Sequence, residues 1–138
     1  RLEPPGSARR ESYEYVPTSR MNNTFILGGE NRPEDIVAAT EHGIFAAQIR
    51  GGSVNTETGD FNFSVSRAYL IENGRITRPL RGAKLIGNGS EILRNIDMVG
   101  NNPGMRGGGQ CGSKSGWVPV CHGTPTLRVA EIAVGGQK

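Results

Sequence analysis

The sequence predicts a β-dominated α+β domain: an antiparallel meander in a partly closed sheet, carrying two short helices. Three observations predict it. Glycine accounts for 21 of 138 residues while apolar residues make up only 35%. Glycine supplies the positive φ of tight turns, so that balance suits short strands better than a helix bundle. Phe61-Asn62-Phe63-Ser64-Val65 alternates strictly between apolar and polar residues, the pattern of a strand with one buried face. Asn73-Gly74 between two strand-like runs is the strongest short hairpin signal. The length suits about one domain with a single core.

Taken in order, residues 1–20 hold four arginines, three prolines and no periodic apolar pattern. They read as an extended connector from an N-terminal region outside this sequence, since the chain opens at Arg1 without methionine. Residues 21–138 read as the domain proper. Thr24-Phe25-Ile26-Leu27 is a short strand stopped by Gly28-Gly29. A helix follows, with Pro33 in its first turn, Glu34 and Asp35 at its positive end and Gly43 as its stop. Ile36, Val37 and Thr40 form its inner face, and His42 is expected to cap its C-terminus. Ile44 to Ile49 is a buried-looking strand closed by Gly51-Gly52. Thr58-Gly59-Asp60 turns the chain into the alternating strand, which runs on through Ala68-Tyr69-Leu70-Ile71 to Asn73-Gly74. Arg75-Ile76-Thr77-Arg78 returns antiparallel. Ser90 is the expected N-cap of a second helix, with Ile92, Leu93 and Ile96 on its apolar side. Four glycines and a proline between Asn101 and Gly109 suggest a loop. Trp117 to Val120 and Thr126 to Val129 close the domain, with Pro119 at an edge or bulge.

Composition limits the function classes. The net charge is +3 and the pI about 9.2, with arginines concentrated near Tyr13 and Tyr15. A modest arginine excess suits solvated surface better than a nucleic-acid face, so nucleic acid is disfavoured as a partner. No run of eighteen apolar residues occurs, so no membrane span is expected. Two cysteines do not make a disulfide scaffold, and a reduced, cytoplasmic setting is expected.

The most conspicuous chemistry lies in Gly107-Gly108-Gly109-Gln110-Cys111-Gly112. A thiol set among glycines, where backbone can wrap closely around a small target, is a candidate metal ligand or nucleophile. Its partners are few. Cys111, Cys121 and His122 match no self-contained zinc spacing. A nucleophilic pairing of Cys111 with His122 or His42 lacks an orienting third group. The glycine stretch lacks the Gly-Lys-Ser/Thr ending of a phosphate loop. Glu57 and Asp60 flank a turn, where acids serve turn geometry.

The wording of the sequence adds a resemblance. Arg9-Arg10-Glu11-Ser12-Tyr13, Pro17-Thr18-Ser19-Arg20-Met21-Asn22-Asn23-Thr24 and Glu41-His42-Gly43-Ile44-Phe45 appear in order. Ser66-Arg67-Ala68-Tyr69-Leu70-Ile71-Glu72-Asn73-Gly74 and Arg81-Gly82-Ala83-Lys84-Leu85-Ile86-Gly87-Asn88-Gly89 follow. Met98-Val99-Gly100-Asn101, Cys111-Gly112, Val118-Pro119-Val120, Pro125-Thr126-Leu127-Arg128 and Val134-Gly135-Gly136 complete the set. Together these resemble the C-terminal domain of the TldD/PmbA family over nearly the whole chain.

The resemblance implies a zinc-dependent peptidase working as a heterodimer with a related companion subunit, and the sheet-rich reading of the residues makes an unfolded peptide its expected substrate. It implies that Cys111 is a metal ligand, joined by two histidines of a His-Glu-x-x-x-His helix that this sequence does not contain. The catalytic glutamate would then also lie elsewhere, leaving no catalytic residue in this chain and the chain inactive alone. The longer tail through Pro125 to Arg128 makes the chain TldD-like. Gly51, Gly52 and Gly109 are the expected substrate-binding positions, at sheet edges that could take a peptide as an added strand. The alternative is a non-catalytic interaction module, either the metal-free companion or a modulator of DNA gyrase, with which the family was first linked.

Overall fold

The computed structural model describes residue 3 and residues 6–136. Residues 1, 2, 4 and 5 of the expected connector lie outside the described residues, as do 137 and 138. Along the chain come β1 (Ala8–Arg9), β2 (Thr18–Ser19), β3 (Thr24–Phe25), α1 (Pro33–Ala38), β4 (His42–Val54), β5 (Asp60–Glu72) and β6 (Arg75–Leu80). Then follow β7 (Lys84–Asn88), α2 (Gly89–Arg94), β8 (Ile96–Val99), β9 (Met105–Ser113), β10 (Gly116–Gly123), β11 (Leu127–Val129) and β12 (Ala133–Gly135). Strands dominate, the helices are short, and among the described residues no sheet closes into a barrel, as the α+β expectation requires. Among the described residues no helix is long and apolar enough to cross a membrane. The chain forms two compact units, Arg1–Gly28 with Asn102–Pro125, and Gly29–Asn101 with Thr126–Lys138.

The second unit is built on the meander. β4 and β5 pair antiparallel from His42↔Glu72 to Val54↔Phe61, and β5 pairs β7 and β6 along its other edge. Val65, Ala68 and Ala83 form the buried centre, with Ile44, Leu80 and Leu85 packed on it. Asn73 and Gly74 both take positive φ, 49° and 72°, as a tight hairpin turn demands. Their N–H groups bond Glu41 and Thr40 carbonyls at 2.6 and 3.0 Å. The turn thereby covers the exit of α1.

Three local expectations are corrected in this unit. Helix α1 ends at Ala38 rather than running to Gly43. Thr40 Oγ1 donates to the Ile36 carbonyl at 2.8 Å, closing the last turn, and His42 is already a strand residue opposite Glu72, not a helix cap. The N-cap of α2 is Asn88, not Ser90: its side chain accepts the Ser90 N–H at 3.0 Å and donates to Thr58 O and Asp60 Oδ1. Leu93 is 63% exposed and Ile96 belongs to β8, so the expected apolar side of α2 shrinks to Ile92.

The third correction concerns Gly51-Gly52, which do not end β4; the strand continues to Val54. Glycine is required at position 52 by space. A Cβ there would lie 2.6 Å from Phe63 Cδ1 and 2.8 Å from Phe63 Cα, distances that force the β4–β5 pair apart. Gly52→Ala is expected to lower stability by about 1–3 kcal/mol, read as a drop in the urea midpoint. An unchanged midpoint would show that the hairpin yields freely there.

Arg128 ties β11 to its surroundings. Its Nε and Nη2 donate to both carboxylate oxygens of Asp97 at 2.9 and 2.7 Å, and Nη1 donates to the Ala39 carbonyl beyond α1 at 2.9 Å. The hydrogen bond from Arg128 holds the Asp97 carboxyl below the ordinary carboxylate range, against a smaller opposing effect of burial. A depressed folded pKa adds stability above the unfolded value of about 3.9 and loses it as pH falls through the folded value. The pair is partly solvated, so Arg128→Ala should cost only about 1 kcal/mol at neutral pH. Denaturation at pH 7 and below pH ~4 should show that difference shrinking in acid. A constant difference would assign the effect to Ala39 and packing alone.

The first unit holds a three-stranded sheet of order β3-β10-β9 and the small pair β1-β2. β9 and β10 pair antiparallel from Gly116↔Ser113 to Gly123↔Met105, while β3 joins β10 in parallel at His122↔Thr24. The expected loop over Asn101 to Gly109 is therefore a strand from Met105 onward. Its glycines give up their freedom to pairing, and they form a floor for the large side chains of β10. A Cβ at Gly107 would lie 2.8 Å from His122 Nε2, and one at Gly112 3.0 Å from the Trp117 ring.

Candidate functional site

Cys111 sits in β9 opposite Val118 of β10. Directly opposed residues of a β pair share a face, and faces alternate along each strand. Cys111 therefore shares its face with Val118, Val120 and His122, whereas Cys121 lies on the other face with Trp117. The two thiols are free. Cys121 donates its S–H to the Gly107 carbonyl at 2.7 Å, a packing role. His122 stands four residues from Val118, roughly 13 Å along the strand, so it forms no dyad with Cys111. His42, Gly51 and Gly52 belong to the other unit.

The hairpin carrying Cys111 is held by the N-terminal segment. Glu11 N–H donates to the Ser115 carbonyl at 2.9 Å, and its carboxylate accepts the Trp117 N–H at 2.7 Å. Thr18 Oγ1 donates to Ser115 Oγ at 2.9 Å. Arg20 is buried, and its guanidinium reaches Ser115 Oγ, the Gly116 carbonyl and the Cys111 carbonyl. Arg9 donates to the Pro119 and Met21 carbonyls. Sequence reasoning missed Glu11, Thr18, Arg20 and Ser115 as site residues, because the first three lie 95 or more positions from Ser115 and only folding brings them together.

These contacts fix which way the ladder faces. In an antiparallel ladder the N–H and C=O of one residue point the same way. The Trp117 N–H goes to Glu11 and the Pro119 carbonyl to Arg9, so alternate residues of β10 point away from β9. Pro119 thus lacks only a donor that β9 would not use, consistent with its expected edge-like position. By register, the backbone groups of Gly108, Gln110 and Gly112 face the outer edge of β9, while those of Gly109 and Cys111 turn to β10. Among the described residues no strand pairs with that outer edge.

The Cys111 thiol is held below the ordinary thiol range, first by the hydrogen bond from Arg20, then by the Met21 backbone N–H; burial opposes this, and the Arg20 and Arg9 charges add to it. The thiolate is the form that ligates metals. Among the described residues no group of three or more His, Cys, Asp and Glu could hold a metal ion. Cys111 fits zinc as one soft ligand. A lone thiolate does not complete a tetrahedral site.

A family model described as the PmbA/TldA metallopeptidase C-terminal domain matches residues 1–136. The chain is 46% identical over 132 residues to a "Metalloprotease TldD homolog" of Haemophilus influenzae, covering 95% of this chain and 27% of that protein. It is 31% identical over 133 residues to a "Zinc metalloprotease TldD homolog" of Saccharolobus solfataricus, covering 96% and 30%. The chain thus spans less than a third of the length of these curated relatives. The crystal structure of TldE from Thermococcus kodakarensis shares the fold, with a TM-score of 0.74 at 19% identity over 95% of this chain and 27% of that one.

Proposed function

The chain belongs to the PmbA/TldA metallopeptidase family as its C-terminal domain, and from that premise we propose that it supplies the Cys111 thiolate to a zinc site completed by residues of a longer protein. The carrying observation is the Cys111 thiol itself. It sits in a strand with an open outer edge, and Arg20 biases it toward the thiolate. The name of the Saccharolobus relative supports zinc as the metal. Bound zinc lowers the pKa of a water and polarises a peptide carbonyl. Cys111 would hold the metal, and the water-activating residue would come from elsewhere in the protein.

The substrate is an unfolded peptide that adds as a strand on the outer edge of β9, bonding mainly through its backbone; Gly109 itself turns to β10, so the outward groups of Gly108 and Gln110 would receive it. Backbone bonding predicts weak side-chain selectivity. The working enzyme pairs with a related companion subunit in the cytoplasm. This chain expressed alone is expected to cleave no peptide and to lose zinc on dialysis. One tightly held zinc ion in the isolated chain would overturn the shared-site reading.

A further inference from the structure

Arg20 stands out among the residues that hold the hairpin carrying Cys111. It is 5% exposed. Nη1 donates to Ser115 Oγ at 2.5 Å and to the Gly116 carbonyl at 2.8 Å, and Nη2 donates to the Cys111 carbonyl. Nε meets no acceptor. Among the described residues no carboxylate lies within salt-bridge distance of it. Ser115, completely buried, accepts from both Thr18 and Arg20.

A buried cation gripping only neutral oxygens is costly, and an apolar side chain of similar volume would pack a hairpin turn as well. Its position has a use if what it holds must stay in one place, and one of its partners is the backbone carbonyl of Cys111, the residue proposed to hold the metal. The guanidinium fork also suits this place in a way that an ammonium does not. It spans three acceptors on two strands and their turn at once, fixing the Cys111 backbone relative to Gly116.

We infer that Arg20 is a positioning residue for the metal-binding thiolate: it locks the β9–β10 turn and pins the Cys111 backbone, so that the thiolate meets the metal in one orientation. The inference rests on Cys111 being a zinc ligand. Groups that orient a metal ligand from outside typically change metal affinity by about 10–100-fold when removed.

The test uses the full-length protein with its companion subunit. Zinc affinity is measured by competition with a chromogenic chelator in wild type, Arg20→Lys, Arg20→Met and Ser115→Ala. Cobalt-loaded samples report the thiolate-to-metal charge-transfer band at saturating metal. Arg20→Lys is expected to fold, to weaken zinc binding about tenfold or more, and to shift the band, because lysine keeps the charge and loses the fork. Arg20→Met should weaken binding further, and Ser115→Ala less than either.

Arg20→Lys with wild-type zinc affinity and an unshifted band overturns the inference. Should both Arg20 variants fail to fold, Ser115→Ala decides: weaker zinc with a shifted band upholds the inference, and wild-type values overturn it. Cys111→Ala separates this inference from its premise. Zinc retained in Cys111→Ala defeats the ligand reading itself; zinc lost there but held normally in Arg20→Lys defeats only the role of Arg20.

Discussion

Cys111→Ala in the full-length protein is expected to leave less than about a tenth of the wild-type zinc after dialysis and to abolish peptide hydrolysis, while Cys121→Ala keeps both. Removing a residue behind a metal ligand already costs roughly 10–100-fold in affinity or activity, and removing a ligand should exceed that. The contrast between the two cysteines is what makes the experiment informative. They are ten positions apart in sequence, on neighbouring strands of one sheet, yet they project to opposite faces. Cys121 spends its S–H on the Gly107 carbonyl, whereas Cys111 meets Arg20 and the Met21 N–H. Each substitution removes one sulfur from a half-buried position, so loss of packing should be similar and the zinc content should differ. Equal zinc in both variants would sink the assignment.

What could be read from the sequence followed physical range. The meander was legible because its signals are local: alternation over Phe61 to Val65 and the Asn73-Gly74 turn sit within one hairpin, and the structure places them there. Errors arose where a contact distant in sequence overrode a local preference. Met105–Gly109 looked like a loop because glycine is flexible in isolation. Pairing with β10 removes that freedom, and His122 needs the bare surface that Gly107 provides. His42 looked like a helix cap because Gly43 marks a stop, but the hairpin turn caps the exit of α1 three residues sooner.

The candidate site was legible only as a cysteine with missing partners. Its surroundings come from Glu11, Thr18 and Arg20, and no spacing rule connects residue 20 to residue 115. The ordered resemblance contained Arg20 within Pro17-Thr18-Ser19-Arg20 without giving it a role. Folding alone shows that the segment grips the hairpin turn through Ser115 and Gly116.

Gly108→Pro tests how a peptide would reach this site, and is expected to raise KM for an unfolded peptide by about tenfold or more while zinc content stays at the wild-type level. The register makes position 108 the informative choice. Its N–H faces the outer edge of β9, whereas the backbone of Gly109 is engaged by Val120. Proline there deletes one outward donor without removing a bond to β10. Natural sheets commonly protect exposed edges with proline, charge or bulges. Here the far side of β10 has that protection, through Pro119 and the contacts of Arg9 and Glu11. The described outer edge of β9 from Gly107 to Gly112 has none. A peptide bearing N-methyl groups at alternate backbone nitrogens should show the same rise in KM against wild type, since it removes the matching donors from the other partner. Gln110→Ala, which alters a side chain and leaves the outward backbone intact, should change KM little. If Gly108→Pro and the N-methylated peptide both behave as wild type, the peptide does not bind as an added strand on β9.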